Sequence, residues 1–259
     1  MAKYRQYVMA QSLDEAYELN QKKGSVIVAG NMWLRMCGMN KTTAIDLSQL
    51  GLDHIEEAED AFVAGAMTTL RALETHAGLH AAFCGVFAKA LAPIVGTQFR
   101  NTATIGGSVY SRFGFSDVSA LLLALDAEVV LYKRGVVKLA DYQKEAWDRD
   151  IITHIRIPKG QTADVQSVRV SGTDIPTLVC AAAKSEKGIR IVLGARPARA
   201  VIAADALASD LSDKQLEEIA EKTAFGTNLR AGKAYRRKIA PVLMARAAKA
   251  CREVAGYEC

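Results

Sequence analysis

Residues 100–108 read Arg-Asn-Thr-Ala-Thr-Ile-Gly-Gly-Ser, a run of small residues with two adjacent glycines. The glycines carry no side chain, so the diphosphate of a nucleotide could lie against the backbone there. Thr104, Ser108 and, further on, Ser111 offer hydroxyl groups as hydrogen-bond partners. A simple glycine bend explains the same residues, so this stretch alone leaves a ligand loop and an ordinary bend open.

The polar stretch after this loop ends in Ser116-Asp117. Apolar residues follow at i, i+3, i+4 and i+7 from Val118, which predicts an amphipathic helix. Asp117 offers a carboxylate that can accept hydrogen bonds from ribose or other ligand hydroxyls. Ser116 or Asp117 can equally serve as the N-cap of the helix. The residues alone leave both interpretations open.

A second glycine-containing turn lies earlier in the chain, where the predicted strand Ser25–Ala29 runs into Gly30-Asn31-Met32. A glycine at a strand end lets backbone amides approach a phosphate, and consecutive amides form an anion-binding nest. An ordinary turn is the alternative. If both turns bind the same ligand, main-chain amides at Gly30 and at Gly106-Gly107 would converge on the phosphates of one dinucleotide. The sequence has neither a G-x-x-x-x-G-K-[ST] loop nor a G-x-G-x-x-G segment that opens a helix.

The rest of the N-terminal part mixes strands and helices, beginning with a β–α–β pattern. Ser12 and Glu15 form a predicted capping box at the start of the first helix. An alanine-rich helical region is predicted from a cap at Thr68 or Thr69 to about Val95. Besides Ser25–Ala29, strands are predicted at Ala44–Leu47, Ala61–Ala66, Glu128–Tyr132 and Ile151–Ile157.

The C-terminal part has a different pattern after a boundary predicted at Pro158-Lys159-Gly160. Three strands in hairpin order predict an antiparallel sheet, and the helical segments that follow are expected to cover it. The strands are predicted at about Val165–Val170, Leu178–Lys184 and Ile189–Leu193, and the helices from about Asp213 and from about Pro241 to the end.

The composition is that of an ordinary globular protein, with 50% hydrophobic and 24% charged residues and a net charge of +5. The five cysteines lie singly in the sequence, which argues against an iron–sulfur or structural zinc site, because such sites use closely spaced thiolates. A redox centre here would therefore be an organic cofactor. No apolar run approaches the roughly 20 residues of a membrane span, and the polar N-terminus is unlike a secretion signal. We expect a cytoplasmic protein with no membrane or nucleic-acid partner.

Three smaller features have competing explanations. His76 and His80 have the i, i+4 spacing of two zinc ligands on one helix face, but no third ligand is evident and plain histidines are the alternative. Trp33 and Tyr110 could stack on a ring system or simply pack beside their loops. A basic set near the C-terminus forms either a solvated helix or turn, or a docking face for a partner subunit or an anionic ligand. It comprises Arg230, Lys233, Arg236, Arg237 and Lys238.

The combination of these motifs resembles the FAD subunit, or FAD domain, of the xanthine dehydrogenase and carbon monoxide dehydrogenase family. The similarity covers essentially the whole chain, in order and at normal spacing. The family pattern is an S-L-x-E-A helix, an A-G-G-[TS]-x-L loop, R-N-x-[AG]-T-I-G-G-N, S-D before L-L-A-L-x-A, E-I-x-x-I-x-[IL]-P and R-x-S-x-Y-R. The matching segments are Ser12–Ala16, Ala29–Leu34, Arg100–Ser108, Ser116-Asp117 before Leu122–Ala127, Asp150–Pro158 and Leu229–Arg236.

The resemblance implies an α+β fold with two domains. Residues 1–158 would form a two-lobed FAD-binding domain of the PCMH type, with lobes at about 1–52 and 53–158. Residues 162–259 would form a C-terminal α+β domain, an antiparallel sheet packed with helices, of the carbon monoxide dehydrogenase flavoprotein type.

The resemblance also implies a flavoprotein subunit of a molybdenum hydroxylase or dehydrogenase complex. A molybdopterin-binding large subunit would act on the substrate, and a small subunit would carry two 2Fe–2S clusters. This chain would pass the electrons through FAD to NAD or another acceptor. No catalytic acid–base residue and no metal ligand are implied, because the chemistry belongs to the flavin.

The family's FAD contacts carry over by position. The first loop would hold the diphosphate, the second loop the adenosine diphosphate and ribityl parts, and later residues would lie near the flavin ring. The expected cofactor-binding residues are Ala29, Gly30, Asn31, Met32, Trp33, Leu34, Thr104, Gly107, Ser108, Ser111, Asp117, Ile151, Ile152 and Arg169.

The sequence departs from the family pattern at three of these positions. Asn31 replaces the second glycine, Met32 replaces a threonine or serine, and Ser108 replaces an asparagine. Met32 therefore lacks a hydroxyl donor, whereas Asn31 tolerates positive φ better than most residues. A flavin-less structural or assembly subunit of the same fold is the main rival hypothesis. A nucleic-acid binder is a weaker one, because aromatic and basic residues do not interleave.

Overall fold

The computed structural model describes residues 2–208 and 210–254 of the chain. Within these residues the backbone forms three β-sheets and a set of mostly short helices. Cys259 and the part of the predicted final helix beyond Val254 lie outside the described residues. No helix in the described part is long and apolar enough to cross a bilayer.

The N-terminal part is a three-stranded parallel sheet with a helix crossing over it. Ser12 caps the helix by accepting from the Glu15 amide at 3.1 Å, and the Glu15 carboxylate accepts from the amide of Gln11 at 2.8 Å. The third strand begins four residues earlier than the sequence predicted. The elements are β1 (Lys3–Met9), α1 (Leu13–Gln21), β2 (Ser25–Val28) and β3 (Asn40–Asp46), in the sheet order β1-β3-β2.

The middle part is a five-stranded antiparallel sheet, in the order β4-β5-β8-β6-β7, with helices between β5 and β6. Its strands are β4 (Ile55–Glu57), β5 (Ala61–Gly65), β6 (Glu128–Leu131), β7 (Gly135–Lys138) and β8 (Ile152–Pro158). Its helices are α2 (Leu70–Thr75), α3 (Ala77–Ala82), α4 (Val86–Leu91), α5 (Thr97–Arg100), α6 (Ile105–Ser111), α7 (Asp117–Ala124) and α8 (Leu139–Tyr142).

The alanine-rich region predicted up to about Val95 is helical, but the chain there forms three short helices, α2 to α4, and not one long helix. His76 interrupts the first two: it is non-helical, and its Nδ1 accepts from the amide of Leu79 as a cap of α3. Gly85, with φ of +73°, turns the chain sharply before α4. The described residues contain no group of three metal-ligating side chains around His76 and His80 or elsewhere.

The C-terminal part is a four-stranded antiparallel sheet in the order β12-β11-β10-β9, which confirms the predicted architecture. Its elements are β9 (Thr162–Val168), β10 (Leu178–Ser185), β11 (Gly188–Gly194), β12 (Val201–Leu207), α9 (Asp213–Lys222) and α10 (Lys233–Val254). The last helix begins at Lys233 rather than Pro241. Burial of Ala240, Leu243 and Met244 against the sheet offsets the roughly 3 kcal/mol that an internal proline costs.

The basic set near the C-terminus does not form one exposed face. Arg236 is fully buried and donates only to neutral acceptors, including the carbonyls of Thr177 and Gly226. Arg230 pairs with Asp174 at 2.9 Å. Two of the five cations therefore hold loops of the fold together and do not offer a continuous surface to a polyanion.

Helix α7 joins the middle and C-terminal parts into one core. All eight of its residues are buried. It packs against α4 and α6 of the middle part and against β10 and β11 of the C-terminal sheet. The domain limits at 158 and 162 stay a prediction, since the apolar core continues across them.

Leu122 tests this shared core, because its side chain is 0% exposed within α7. We expect Leu122→Ala to lower the free energy of unfolding by about 2–5 kcal/mol, the usual cost of a buried leucine cavity. Urea denaturation measures the change. Leu229→Ala is the matched control, since Leu229 is fully exposed. Equal effects of the two substitutions would contradict the buried position of α7.

Candidate functional site

A cavity of about 680 Å³ lies where the ends of β2, α6, α7 and β8 meet the loop that follows β9. Its size falls within the roughly 300–1,000 Å³ that is typical of cofactor sites. The cavity brings together every residue that the sequence analysis assigned to cofactor binding. These are Ala29, Gly30, Asn31, Met32, Trp33, Leu34, Thr104, Gly107, Ser108, Ser111, Asp117, Ile151, Ile152 and Arg169.

The first loop leaves β2 through a left-handed turn at Asn31, whose φ is +54°. The Tyr4 hydroxyl on β1 donates to Asn31 Oδ1 at 3.2 Å and anchors this side chain. Asparagine is among the non-glycine residues that occupy this region of φ/ψ space most readily. The turn predicted for a glycine therefore survives the replacement by Asn31.

The amides of the first loop are available to a ligand. Among the described residues, the N–H groups of Gly30, Asn31 and Met32 donate no hydrogen bond to a protein acceptor. The carbonyl of Asn31 is used, since it accepts from the Arg35 amide at 3.3 Å. Consecutive free amides at a turn that lines a cavity form a nest suited to an anionic oxygen.

The second loop is the start of a helix, and its amides are occupied. Thr104 caps α6 by accepting from the Gly107 amide at 3.1 Å. The Ile105 amide donates to Thr68 O at 3.0 Å and the Gly106 amide to Ala66 O at 2.9 Å. The prediction that amides at Gly106-Gly107 hold phosphates is therefore wrong for this structure.

The glycines of both loops allow close approaches between backbones. A β-carbon on Gly30 would lie 1.8 Å from the Thr102 carbonyl oxygen, and one on Gly106 would lie 2.6 Å from the Ala66 oxygen. Gly107 has only Thr104 Oγ1 near its Cβ position, at 3.1 Å, and lines the cavity. The two loops are therefore in contact, as predicted. At Gly107 no side chain covers the cavity wall.

The serine hydroxyls of α6 are bonded within the helix. Ser108 Oγ donates to the Thr104 carbonyl at 2.8 Å, and Ser111 Oγ donates to the Ser108 carbonyl at 3.1 Å. Such bonds back to the preceding turn are common for serine in helices. Each hydroxyl keeps its lone pairs for a ligand donor and can rotate toward a ligand acceptor.

Asp117 and Arg169 form a buried ion pair in the cavity wall, with Arg169 Nη2 at 2.5 Å from Asp117 Oδ1. Ser116 is the N-cap of α7, so Asp117 is not needed as one. Burial raises the pKa of Asp117 to about 6, and Arg169 opposes this shift. Arg169 also donates to the Asp174 carbonyl at 2.6 Å, which ties the C-terminal sheet to the cavity.

Ile151, just before β8, and Ile152, its first residue, lie between the cavity and two hydrophobic cores. Ile151 is fully buried in the core of the N-terminal sheet, whereas Ile152 belongs to the main core. Both line the cavity. They provide an apolar wall against which a flat ring can pack.

The family model for the FAD-binding domain of molybdopterin dehydrogenases matches residues 2–160. The chain belongs to this family. FAD is the cofactor of these domains, and the matched region contains both glycine loops and Asp117. The phosphate-binding candidates of this chain thus lie within the matched segment, whereas Arg169 follows it.

Relatives of known structure share this fold over nearly the whole length of the chain described here. Carbon monoxide dehydrogenase from Hydrogenophaga pseudoflava is 22% identical with a TM-score of 0.87, covering 98% of this chain and 99% of its own. Quinoline 2-oxidoreductase from Pseudomonas putida 86 is 20% identical with a TM-score of 0.85 and the same coverage. The uncharacterized protein YgfM of Escherichia coli (strain K12) is 29% identical over 93% of each chain.

Several cavity residues of this FAD-binding family member were missed by the sequence analysis. They include the aromatic residues Phe99, Phe113, Phe115 and Trp147, and the charged Asp174. For Phe113 and Phe115, the signal available in the sequence was their position on either side of Gly114, just before Asp117. The other three come from segments that no local pattern connects to the glycine loops.

The raised pKa of Asp117 predicts that the free energy of unfolding depends on pH. Its folded pKa of about 6 lies above the 3.8 of an unperturbed group, so the folded state holds the proton more tightly. The free energy of unfolding of the unmodified chain, relative to that of Asp117→Asn, should therefore fall by up to about 3 kcal/mol as pH rises from about 4 to about 6. Urea denaturation of both forms at several pH values measures this.

Asp141→Asn is the control for the loss of one carboxylate, because the Asp141 side chain is exposed. This control measures what the loss of an exposed carboxylate does to the free energy of unfolding over the same pH range. A difference for Asp117→Asn that does not change with pH would contradict the raised pKa of Asp117.

Proposed function

We propose that this chain is the FAD subunit of a molybdenum hydroxylase or dehydrogenase complex. In this proposal it takes electrons from 2Fe–2S clusters of a small subunit and passes them to NAD or another acceptor. The substrate would be bound by a molybdopterin-binding large subunit. The similar solved structures favour this assignment, since they include a Cu,Mo-CO dehydrogenase.

The observation that carries the proposal is the meeting of the two glycine loops at one cavity. The unpartnered amides of Gly30, Asn31 and Met32 fit the negative oxygens of a diphosphate. At Gly107 the cavity wall has no side chain, which leaves room for the linker between the two rings of FAD. The residues present therefore fit FAD, although Met32 supplies no hydroxyl.

FAD, when bound, supplies a redox centre that accepts and releases two electrons. The residues of this chain would hold and orient it. The first loop, Ala29–Leu34, would bind the diphosphate through its amides, and Gly107, with the hydroxyls of Ser108 and Ser111, would line the path of the linker between the two rings. Ile152 would pack on the flavin ring and exclude water from one face.

Arg169 would place a fixed positive charge beside the flavin. Its guanidinium is buried and already bound to Asp117 and to the Asp174 carbonyl, so its position is set before a ligand enters. A cation near a flavin stabilises added negative charge, which is how a protein tunes the electronics of a cofactor. The NAD acceptor and the cytoplasmic location remain predictions.

Absorbance of the purified chain tests the proposal directly. We expect a flavin band near 450 nm with about one FAD per chain, either as isolated or after incubation with FAD. The flavin-less alternative, suggested by Asn31 and Met32, predicts a colourless and well-folded protein. A chain that melts cooperatively yet takes up no added FAD would refute FAD binding.

Copurification tests the proposed complex separately from the cofactor. Gentle isolation from the source organism should recover the chain with two further subunits, with molybdenum and with iron. A flavin-containing chain that purifies alone, without these metals, would preserve the cofactor assignment but contradict the partners.

Gly107→Leu should narrow the cavity, because Gly107 lines it and a side chain there would add bulk to the wall assigned to the linker of FAD. We expect FAD affinity to fall at least tenfold, with little change in melting temperature. Gly232→Leu is the matched control, since a β-carbon on Gly232 has no neighbour within 4 Å. Unchanged FAD occupancy in Gly107→Leu would remove this residue from the site.

A further inference from the structure

Two loops of the C-terminal part lie behind one wall of the cavity. The wall loop, residues 169–177, follows β9 and contributes Arg169, Thr173 and Asp174 to the cavity lining. The outer loop, residues 226–232, precedes α10 and lies outside that lining. The hydrogen bonds between the two loops decide how firmly the wall loop is held.

Arg236, the fully buried arginine of α10, ties both loops to this helix. Its guanidinium donates to the carbonyls of Gly226 at 2.9 Å and Ala231 at 2.5 Å in the outer loop. It also donates to Asn228 Oδ1 at 2.6 Å. Its Nε donates to the carbonyl of Thr177, at the end of the wall loop, at 2.8 Å. The outer loop is therefore a fixed support for the residues that it presents to the wall loop.

Arg230 connects this support to the cavity. Its Nη2 donates to Asp174 Oδ1 at 2.9 Å, and the same oxygen accepts from the Ile175 amide at 2.7 Å. The bond from Arg230 lowers the pKa of the Asp174 carboxyl, so this bond joins two charged groups and is of the stronger kind. The Asp174 carbonyl accepts from Arg169 Nη1 at 2.6 Å. Arg230 thus reaches Arg169 through one intervening residue.

We propose that Arg230 is a positioning residue, which acts through Asp174 to hold the charge of Arg169 beside the flavin and so raises the flavin's midpoint potential. The inference rests on the proposed function, in which Arg169 lies next to the flavin. A positive charge there favours the reduced cofactor, because reduction adds negative charge. Its effect depends on the residues behind it, since a side chain is held in a working geometry by its own supporting contacts.

The sign of the effect at Asp174 separates positioning from simple electrostatics. Loss of a carboxylate near the flavin by itself raises the midpoint potential, because less negative charge opposes reduction. Loss of the support for Arg169 lowers the potential. Asp174→Ala removes the side-chain bonds to Arg230 and to the Ile175 amide, and we expect a lower potential. A higher potential would mean that Asp174 acts through its charge alone, and would overturn the proposal.

The potentials are measured on the purified full chain with FAD bound. Arg169→Gln should weaken reduced FAD relative to oxidised FAD about tenfold, or about 30 mV for a two-electron couple. Arg230→Gln should shift this ratio in the same direction by at least about threefold, or about 14 mV. Lys238→Gln is the matched control, since it also removes one positive charge, from an exposed side chain of α10. Equal shifts for Arg230→Gln and Lys238→Gln would show an effect of net charge only and refute the positioning role.

The double variant Arg230→Gln/Asp174→Ala tests whether the two residues act in one chain of contacts. Residues that act through each other have non-additive effects. The double variant should therefore have the potential of Asp174→Ala alone, whereas a sum of the two single shifts would contradict the proposal. Melting temperatures are measured alongside, so that a general loss of folding is recognised.

Hydrogen exchange of the chain without FAD gives a readout that does not depend on the cofactor. Amides of residues 170–176 should exchange faster in Arg230→Gln than in Lys238→Gln, because the wall loop has lost a support. Equal exchange would overturn the role of Arg230. Failure of the unmodified chain to bind FAD would refute the proposed function and the positioning role with it. Normal FAD binding with an unchanged potential in Arg230→Gln would refute the positioning role alone.

Discussion

The site depends on one close backbone contact, between Gly30 and the carbonyl group of Thr102. No side chain larger than hydrogen fits where Gly30 meets the carbonyl of Thr102. This approach brings the turn after the parallel sheet next to the cap of α6. The cavity is lined by both loops, with the free amides of Gly30 to Met32 from the first and Gly107 from the second.

The ion pair of Asp117 with Arg169 connects this cavity to the C-terminal sheet. Removing two charged groups from water is costly, and their attraction offsets that cost only when the geometry is good. Arg169 meets this requirement with further bonds to Ser167 and to the Asp174 carbonyl. A third part of the chain therefore contributes to a site that the matched family segment, residues 2–160, does not contain in full.

Local signals in the sequence predicted the local features of the structure. The Ser12 cap, the strand before Gly30, the C-terminal antiparallel strands and the αL turn at Asn31 depend mainly on neighbouring residues, and the structure shows each of them. The occupied amides at Ile105 and Gly106 were missed because their acceptors, Thr68 and Ala66, lie nearly forty residues away. The cavity residues Phe99, Phe113 and Phe115 were missed for the same reason, since they meet Trp33 from separate segments of the chain.

Helix α7 is buried on every side, so the chain cannot be cut between its middle and C-terminal parts without exposing this helix. A fragment that stopped after residue 160 would expose the face of this helix that β10 and β11 cover. An apolar surface of that kind promotes aggregation. The C-terminal sheet is therefore not a detachable module: recombinant halves should be poorly soluble apart, and co-expression of both is the sounder route to a split protein.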